Sequence, residues 1–340
     1  MKRIVIFADG TWNSPEQGGA TNILHMTRAI KPVATNSVEQ IAFYDWGVGT
    51  DRKELMGGMA GEGIDKNIQD CYRFLVHNYK KGDEIYLFGF SRGSYTVRSL
   101  GGFIRNCGLL KREHASRIPE AYELYRNRSK RSAPNTVSAK EFRQNYAVAD
   151  KTKITFMGVF DTVGALGIPV PFWGNLGKAE FLFHDTEPSS IVEKARHAVS
   201  IDENREDFAP TLWDDKEGID LKQVWFAGVH CDVGGGYKEG GLSGCAMKWM
   251  LKEAKSSGLQ FEPHINGVFA ENPLDKAHDE FKSIYKLRGK RYVRDVKGPL
   301  HVSVKARLEN DQLDYGKKSK AMRKLLKSVN GDLNQLHFVN

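Results

Sequence analysis

Ser91 stands in Gly89-Phe90-Ser91-Arg92-Gly93, a G-x-S-x-G pattern. An apolar run at 85–88 precedes it and a helical pattern at 95–104 follows it. The serine therefore falls on a strand–turn–helix junction, the setting in which this pattern carries a nucleophile. So tight a turn leaves little room for side chains beside the serine, which is the reason for its glycines. A hydroxyl at a helix N-terminus suits attack on an acyl carbon, because the free N–H groups and the helix dipole there favour an oxyanion. The expected oxyanion donors are the backbone N–H of Arg92 and that of Gly10, in the loop Asp9-Gly10-Thr11-Trp12-Asn13 after the first apolar run.

A serine nucleophile needs a histidine base and an acid to orient it, in the chain order Ser, Asp or Glu, His. Asp161 lies in Val159-Phe160-Asp161-Thr162-Val163-Gly164 and Asp232 in Val229-His230-Cys231-Asp232-Val233-Gly234-Gly235-Gly236. Each follows an apolar run, and ligands of open parallel sheets gather at the carboxyl ends of strands. Downstream of both acids are His264, His278, His301 and His337. His301 occupies Gly298-Pro299-Leu300-His301-Val302-Ser303-Val304, a turn leading into an apolar alternation. His230, Asp232 and the glycines after them are expected to shape the edge of the site. A metal reading of that pair is the lesser one, and neither a metal nor an organic cofactor is expected.

The elements that must position these groups follow from the pattern. Short apolar runs at 4–8, 41–44, 85–88, 154–159 and 224–229 have strand length and are apolar at nearly every position. Such runs read as strands covered on both faces, the habit of parallel sheets. Helical patterns at 63–79 and 95–104 lie between them. The expectation is one α/β domain over 1–340, α/β-hydrolase-like, with a mostly parallel central sheet, helices on both faces and lid-like insertions. The insertions are expected at 111–150 and 167–183. The second holds Phe172 and Trp173 among Pro and Gly, as an acyl-binding wall or lid would. A basic helix is expected at 316–328, with Met322, Leu325 and Leu326 as a partial apolar stripe.

Of the 340 residues, 40% are hydrophobic and 27% charged, and the formal net charge is +8. A basic surface favours anionic partners, and with the tail it points to an anionic membrane surface; nucleic acid is not expected. The four cysteines form no C-x-x-C pair, which argues against a zinc site and a disulfide framework and for a reducing compartment. No apolar stretch reaches the ~18 residues of a membrane span, so a cytoplasmic protein, or one exported without a cleaved signal, is expected. Asp9-Gly10-Thr11 matches part of a phosphatase D-x-D-G-T motif, but the nucleophile position is Phe7. The glycine-rich loop at 57–63 lacks the Gly-Lys-Ser/Thr ending of a phosphate-binding loop.

Several segments together resemble one family, the catalytic domain of type VI secretion phospholipase effectors of the first lipase class and its stand-alone bacterial relatives. They are Asp9-Gly10-Thr11-Trp12-Asn13, Gly89-Phe90-Ser91-Arg92-Gly93, Gly158-Val159-Phe160-Asp161-Thr162-Val163-Gly164 and Ser200-Ile201-Asp202-Glu203-Asn204-Arg205. Two more are the segment 225–237, from Trp225 to Tyr237, and His301-Val302-Ser303-Val304. The resemblance implies an α/β-hydrolase fold, a Ser–Asp–His triad of Ser91, Asp161 and His301, and cleavage of phospholipid or lipid acyl esters. Asp232 is the alternative acid, and Asp9, Thr11, His230, Phe172 and Trp173 are expected to meet substrate. The resemblance also implies an immunity protein as a partner and export by type VI secretion. Hydrolysis of a non-lipid ester, thioester or amide, or a non-catalytic binding role on the same scaffold, are the alternatives.

Overall fold

The computed structural model describes residues 1–10, 19–47, 60–127, 133–164, 187–282 and 291–340. Eight strands among them form one sheet: β1 (Lys2–Ala8), β2 (Glu39–Asp45), β3 (Glu84–Phe90), β4 (Phe156–Phe160), β5 (Lys194–Ser200), β6 (Asp220–Phe226), β7 (Leu300–His301) and β8 (Phe338–Val339). The order is β2-β1-β3-β4-β5-β6-β7-β8, and every pairing is parallel. The architecture is the expected α/β-hydrolase-like one.

Burial on both faces explains the near-continuous apolar strands. Along β1, Ile4, Ile6 and Ala8 enter one core cluster while Val5 and Phe7 enter another. The first cluster lies under α2 (Ala60–Asn78) and α3 (Arg92–Cys107), through Ile64, Ile68, Leu75, Val97 and Phe103. The second lies under α1 (Asn22–Arg28) and α7 (Gly241–Ser256), through Ile23, Met26, Met247 and Met250. Each such side chain contributes about 1.5–3 kcal/mol by leaving water, so the two layers fix the sheet firmly enough to carry a site.

Four expectations need correction. The stretch 111–150 is no lid: its helices α4 (Ile118–Arg126) and α5 (Val137–Tyr146) place Ile118, Ala121, Tyr122 and Phe142 in the first core cluster. Strand β5 has no counterpart among the apolar runs, because Lys194, Arg196 and His197 interrupt it; Arg196 is satisfied inside by Glu253 and Asp220. The strand expected from 154 begins at Phe156, with Ile154 in an isolated parallel bridge to Val192. The basic tail is two helices, α9 (Tyr315–Lys318) and α10 (Lys320–Ser328), broken at Ser319, whose hydroxyl caps α10 through Met322 N. Its apolar stripe faces the protein: Met322 is fully buried and Leu325 packs on the third core cluster. The second expected insertion, 167–183, lies outside the described residues. No helix among the described residues is long and apolar enough to cross a membrane.

Candidate active site

The sheet order reverses at β1, which lies between β2 and β3. In sheets of this kind ligands bind at the carboxyl ends of the strands beside such a switch point. Asp9 and Ser91 end the two strands that flank it. Ser91 is the residue before α3 and has φ 58° and ψ −122°, a backbone state that non-glycine residues seldom adopt. Its N–H donates to Phe160 O at 3.1 Å, which ties the turn to the end of β4. The glycines match the mechanical expectation. A Cβ on Gly93 would stand 2.0 Å from Ala8 O, and one on Gly89 2.5 Å from Gly93 O. The helix thus presses on β1.

Asp161 follows β4, fully buried, and it too has a positive φ, 39°. Ser200, at the end of β5, holds it: Ser200 N donates to Oδ1 at 2.9 Å and Ser200 Oγ to Oδ2 at 3.2 Å. The imidazole that meets this carboxylate belongs to His230, with Nδ1 2.6 Å from Asp161 Oδ2. His230 opens the short helix α6 (His230–Gly234) just after β6. Its ring lies 4.6 Å from that of Phe90, the residue before Ser91, and 5.1 Å from that of Phe208. Its Nε2 is buried and has no hydrogen-bond partner among the described residues. Gly234 permits this packing, since a Cβ there would stand 1.9 Å from the Phe90 ring.

The expected pairing of Asp161 with His301 is therefore corrected. His301 is buried elsewhere, stacked on Phe226 with ring centroids 4.5 Å apart. Its Nδ1 meets Ser303 Oγ at 2.8 Å and accepts from Ser303 N at 3.2 Å, so it caps α8 (Val302–Leu308). Burial pushes its imidazole down to about 4. Asp232 is not the acid of this site either. It accepts from Val229 N at 3.0 Å and pairs with His278 Nδ1 at 2.7 Å, which pins the loop that carries His230. Burial raises its carboxyl above the usual range.

Gly10 is also placed differently from expectation. Its N–H donates to Asp9 Oδ1 at 2.7 Å and so is turned away from any oxyanion. Asp9 accepts from Thr21 Oγ1 at 2.5 Å and from Tyr44 OH at 2.9 Å on its other oxygen. It fastens the end of β1 to α1 and β2. Arg92 is the first residue of α3, directly after Ser91. Thr11, Phe172 and Trp173 lie outside the described residues.

Several site residues were not assigned from sequence. Arg294 is fully buried and binds Asp161 with both guanidinium ends, at 2.5 Å to Oδ1 and 3.0 Å to Oδ2. Burial by itself would raise the Asp161 carboxyl; Arg294 and His230 reverse this and hold it well below the usual range. Glu203 takes Arg205 in a two-point pair and accepts His230 N at 3.3 Å. His197 Nε2 accepts from Thr162 N at 3.0 Å, next to Asp161. Burial and the nearby Arg98 push that imidazole down to about 3. The segment 200–205 walls the Asp161–His230 pair through Ser200 and Glu203. His230 was legible in principle, since it follows a strand as the two aspartates do. Arg294 sits in a basic, patternless stretch with no such signal.

Residues 2–253 match the model of a family described as the type VI secretion phospholipase effector Tle1-like catalytic domain. The chain belongs to this family. Ser91, Asp161 and His230 all lie inside the matched span, while Arg294 and His301 lie beyond it. A Saccharomyces cerevisiae relative named uncharacterized protein YEL023C is 32% identical over 228 residues, covering 61% of this chain and 32% of that one. Among solved structures, an uncharacterized protein from Pseudomonas aeruginosa is similar at 20% identity and a TM-score of 0.47, covering 80% of this chain and 49% of that one. The Tle1 effector, solved bound to the VgrG spike of the type 6 secretion system, is similar at 19% identity and a TM-score of 0.42, covering 70% and 51%. The chain thus spans about a third of the yeast relative and about half of each solved chain. The family's description is of a phospholipase-type catalytic domain. Among its described residues no group of three or more His, Cys, Asp and Glu is placed to hold a metal.

Proposed function

We propose that the chain is a serine hydrolase of lipid acyl esters, phospholipids foremost, with Ser91 as nucleophile, His230 as base and Asp161 as the acid that orients it. The observation that carries this reading is the 2.6 Å Asp161–His230 contact beside the Ser91 turn. The chain order Ser91, Asp161, His230 is that of α/β-hydrolases. The phospholipid class rests on the family.

In the reaction His230 Nε2 takes the Ser91 proton as Oγ attacks the acyl carbonyl carbon. The Arg92 N–H donates to the oxyanion that forms. His230 then passes its proton to the leaving alcohol oxygen, and the acyl group stays on Ser91. Water, deprotonated by His230, attacks the acyl-enzyme and releases the fatty acid. Throughout, Asp161 fixes the tautomer with Nδ1–H and stabilises the imidazolium without itself taking a proton. The ionised carboxylate that this requires is secured by Arg294.

The test is fluorophosphonate labelling followed by a panel of phospholipids and simple esters, with Ser91→Ala as control. Labelling of the wild type alone, together with release of fatty acid from phospholipid, is the expected result. Labelling without lipid turnover but with turnover of a short ester would move the substrate class. No labelling of folded wild-type protein would overturn the nucleophile.

A further inference from the structure

Arg294 reaches the site from the segment before β7, outside the residues that match the family model. Its side chain makes four hydrogen bonds: to both oxygens of Asp161, to Ser200 O at 2.8 Å and to Phe208 O at 2.7 Å. Each partner bears on His230. Asp161 binds its Nδ1, Ser200 holds Asp161, and the Phe208 ring packs against the imidazole. A planar guanidinium accepts only one orientation of a carboxylate it binds at two points. Fixing Arg294 to two backbone carbonyls therefore fixes the direction of Asp161.

The charge matters as well as the shape. Arg294 Nη2 and His230 Nδ1 share one oxygen, Asp161 Oδ2. That cation keeps Asp161 ionised. The other charged groups around His230 are Glu203, which accepts its backbone N–H, Arg205 on Glu203, and Asp232 on its own helix. His197 interacts electrostatically with both Asp161 and Arg98. Among these side chains, Arg294 is the one that binds the same carboxylate oxygen as the imidazole.

We propose, resting on the triad reading above, that Arg294 is a positioning residue that aims Asp161 at His230. Arg294→Lys keeps the charge and loses the two-point grip; Arg294→Gln loses both. The readout is the second-order rate of Ser91 modification by a fluorophosphonate, which needs no natural substrate. Arg294→Lys is expected to react about tenfold or more slowly than wild type, and Arg294→Gln more slowly still, so that the lysine restores part of the rate that the glutamine loses. Unchanged rates in both folded variants would overturn the proposal. If Arg294→Gln does not fold, Arg294→Lys decides alone, and a wild-type rate there would overturn it. His230→Gln is run alongside. Wild-type labelling of that variant would overturn the triad itself, a failure distinct from that of Arg294.

Discussion

Asp161 Oδ2 lies 2.6 Å from His230 Nδ1, although 69 residues separate the two in sequence. The contact exists because β4 and β6 both neighbour β5 and end at the same edge of the sheet. Asp161→Asn should therefore keep the site's shape and reverse its hydrogen-bond logic, favouring the wrong imidazole tautomer. We expect a loss of about 10³–10⁴ in kcat, as for a comparable change in a serine protease. The same substitution leaves the buried Arg294 without its counter-charge, which costs about 3–5 kcal/mol of stability. Steady-state kinetics and urea unfolding of the variant check both; near-wild-type turnover would remove Asp161 from the mechanism.

The turn at Ser91 yields a second expectation. Gly93→Ala puts a Cβ against the β1 carbonyls, which can give way only by parting α3 from the sheet. The variant should not accumulate as folded, soluble protein. Gly82→Ala is the control: its φ is +96° but nothing lies within 4 Å of the added atom, so a cost of about 1 kcal/mol is expected. Comparable thermal midpoints for the two variants would contradict the close approach of helix and strand.

Acid should destabilise the fold through its buried imidazoles. His197 and His301 are held at about 3 and about 4, against 6.5 for a free imidazole. Between those values the unfolded chain binds protons that the folded chain refuses, so stability rises with pH across this window. The contribution is complete above about pH 6.5 and is lost as pH falls toward 4. Urea midpoints should drop between pH 7.5 and 5, and less steeply in His301→Gln. A flat midpoint over that range would show that these rings are not buried as neutral groups.

The tail also has a definite role. Met322 is fully buried in the third core cluster, and Asp202 ties the tail to the site by accepting Tyr315 OH at 2.8 Å, Ser319 Oγ at 2.5 Å and Gly228 N at 2.8 Å. Met322→Ala should cost about 2–5 kcal/mol, visible as a lower thermal midpoint. A wild-type midpoint, with the loss appearing only in binding to anionic liposomes, would return the stripe to a membrane.

The sheet was legible where strands are covered on both faces, because burial forces apolar runs such as 4–8 and 85–88. It was illegible at β5, where Arg196 is neutralised by residues distant in sequence, and at β7 and β8, of two residues each. Ser91 could be read from its glycines, whose spacing records a local steric demand. The base could not be read so directly, because a histidine that caps a helix and one that meets a buried carboxylate have the same letter. The pattern around His301 reflects its stack on Phe226 and its cap on α8. Arg294 left no local trace, since its partners lie 86 to 133 residues away.

The most direct test compares His230→Gln with His301→Gln by fluorophosphonate labelling and by ester or phospholipid hydrolysis. The account predicts a loss of about 10³-fold or more for His230→Gln. For His301→Gln it predicts activity within about tenfold of wild type and a stability loss of about 1 kcal/mol from the lost cap and stack. An active His230→Gln with a folded, inactive His301→Gln would contradict it and return the base to His301.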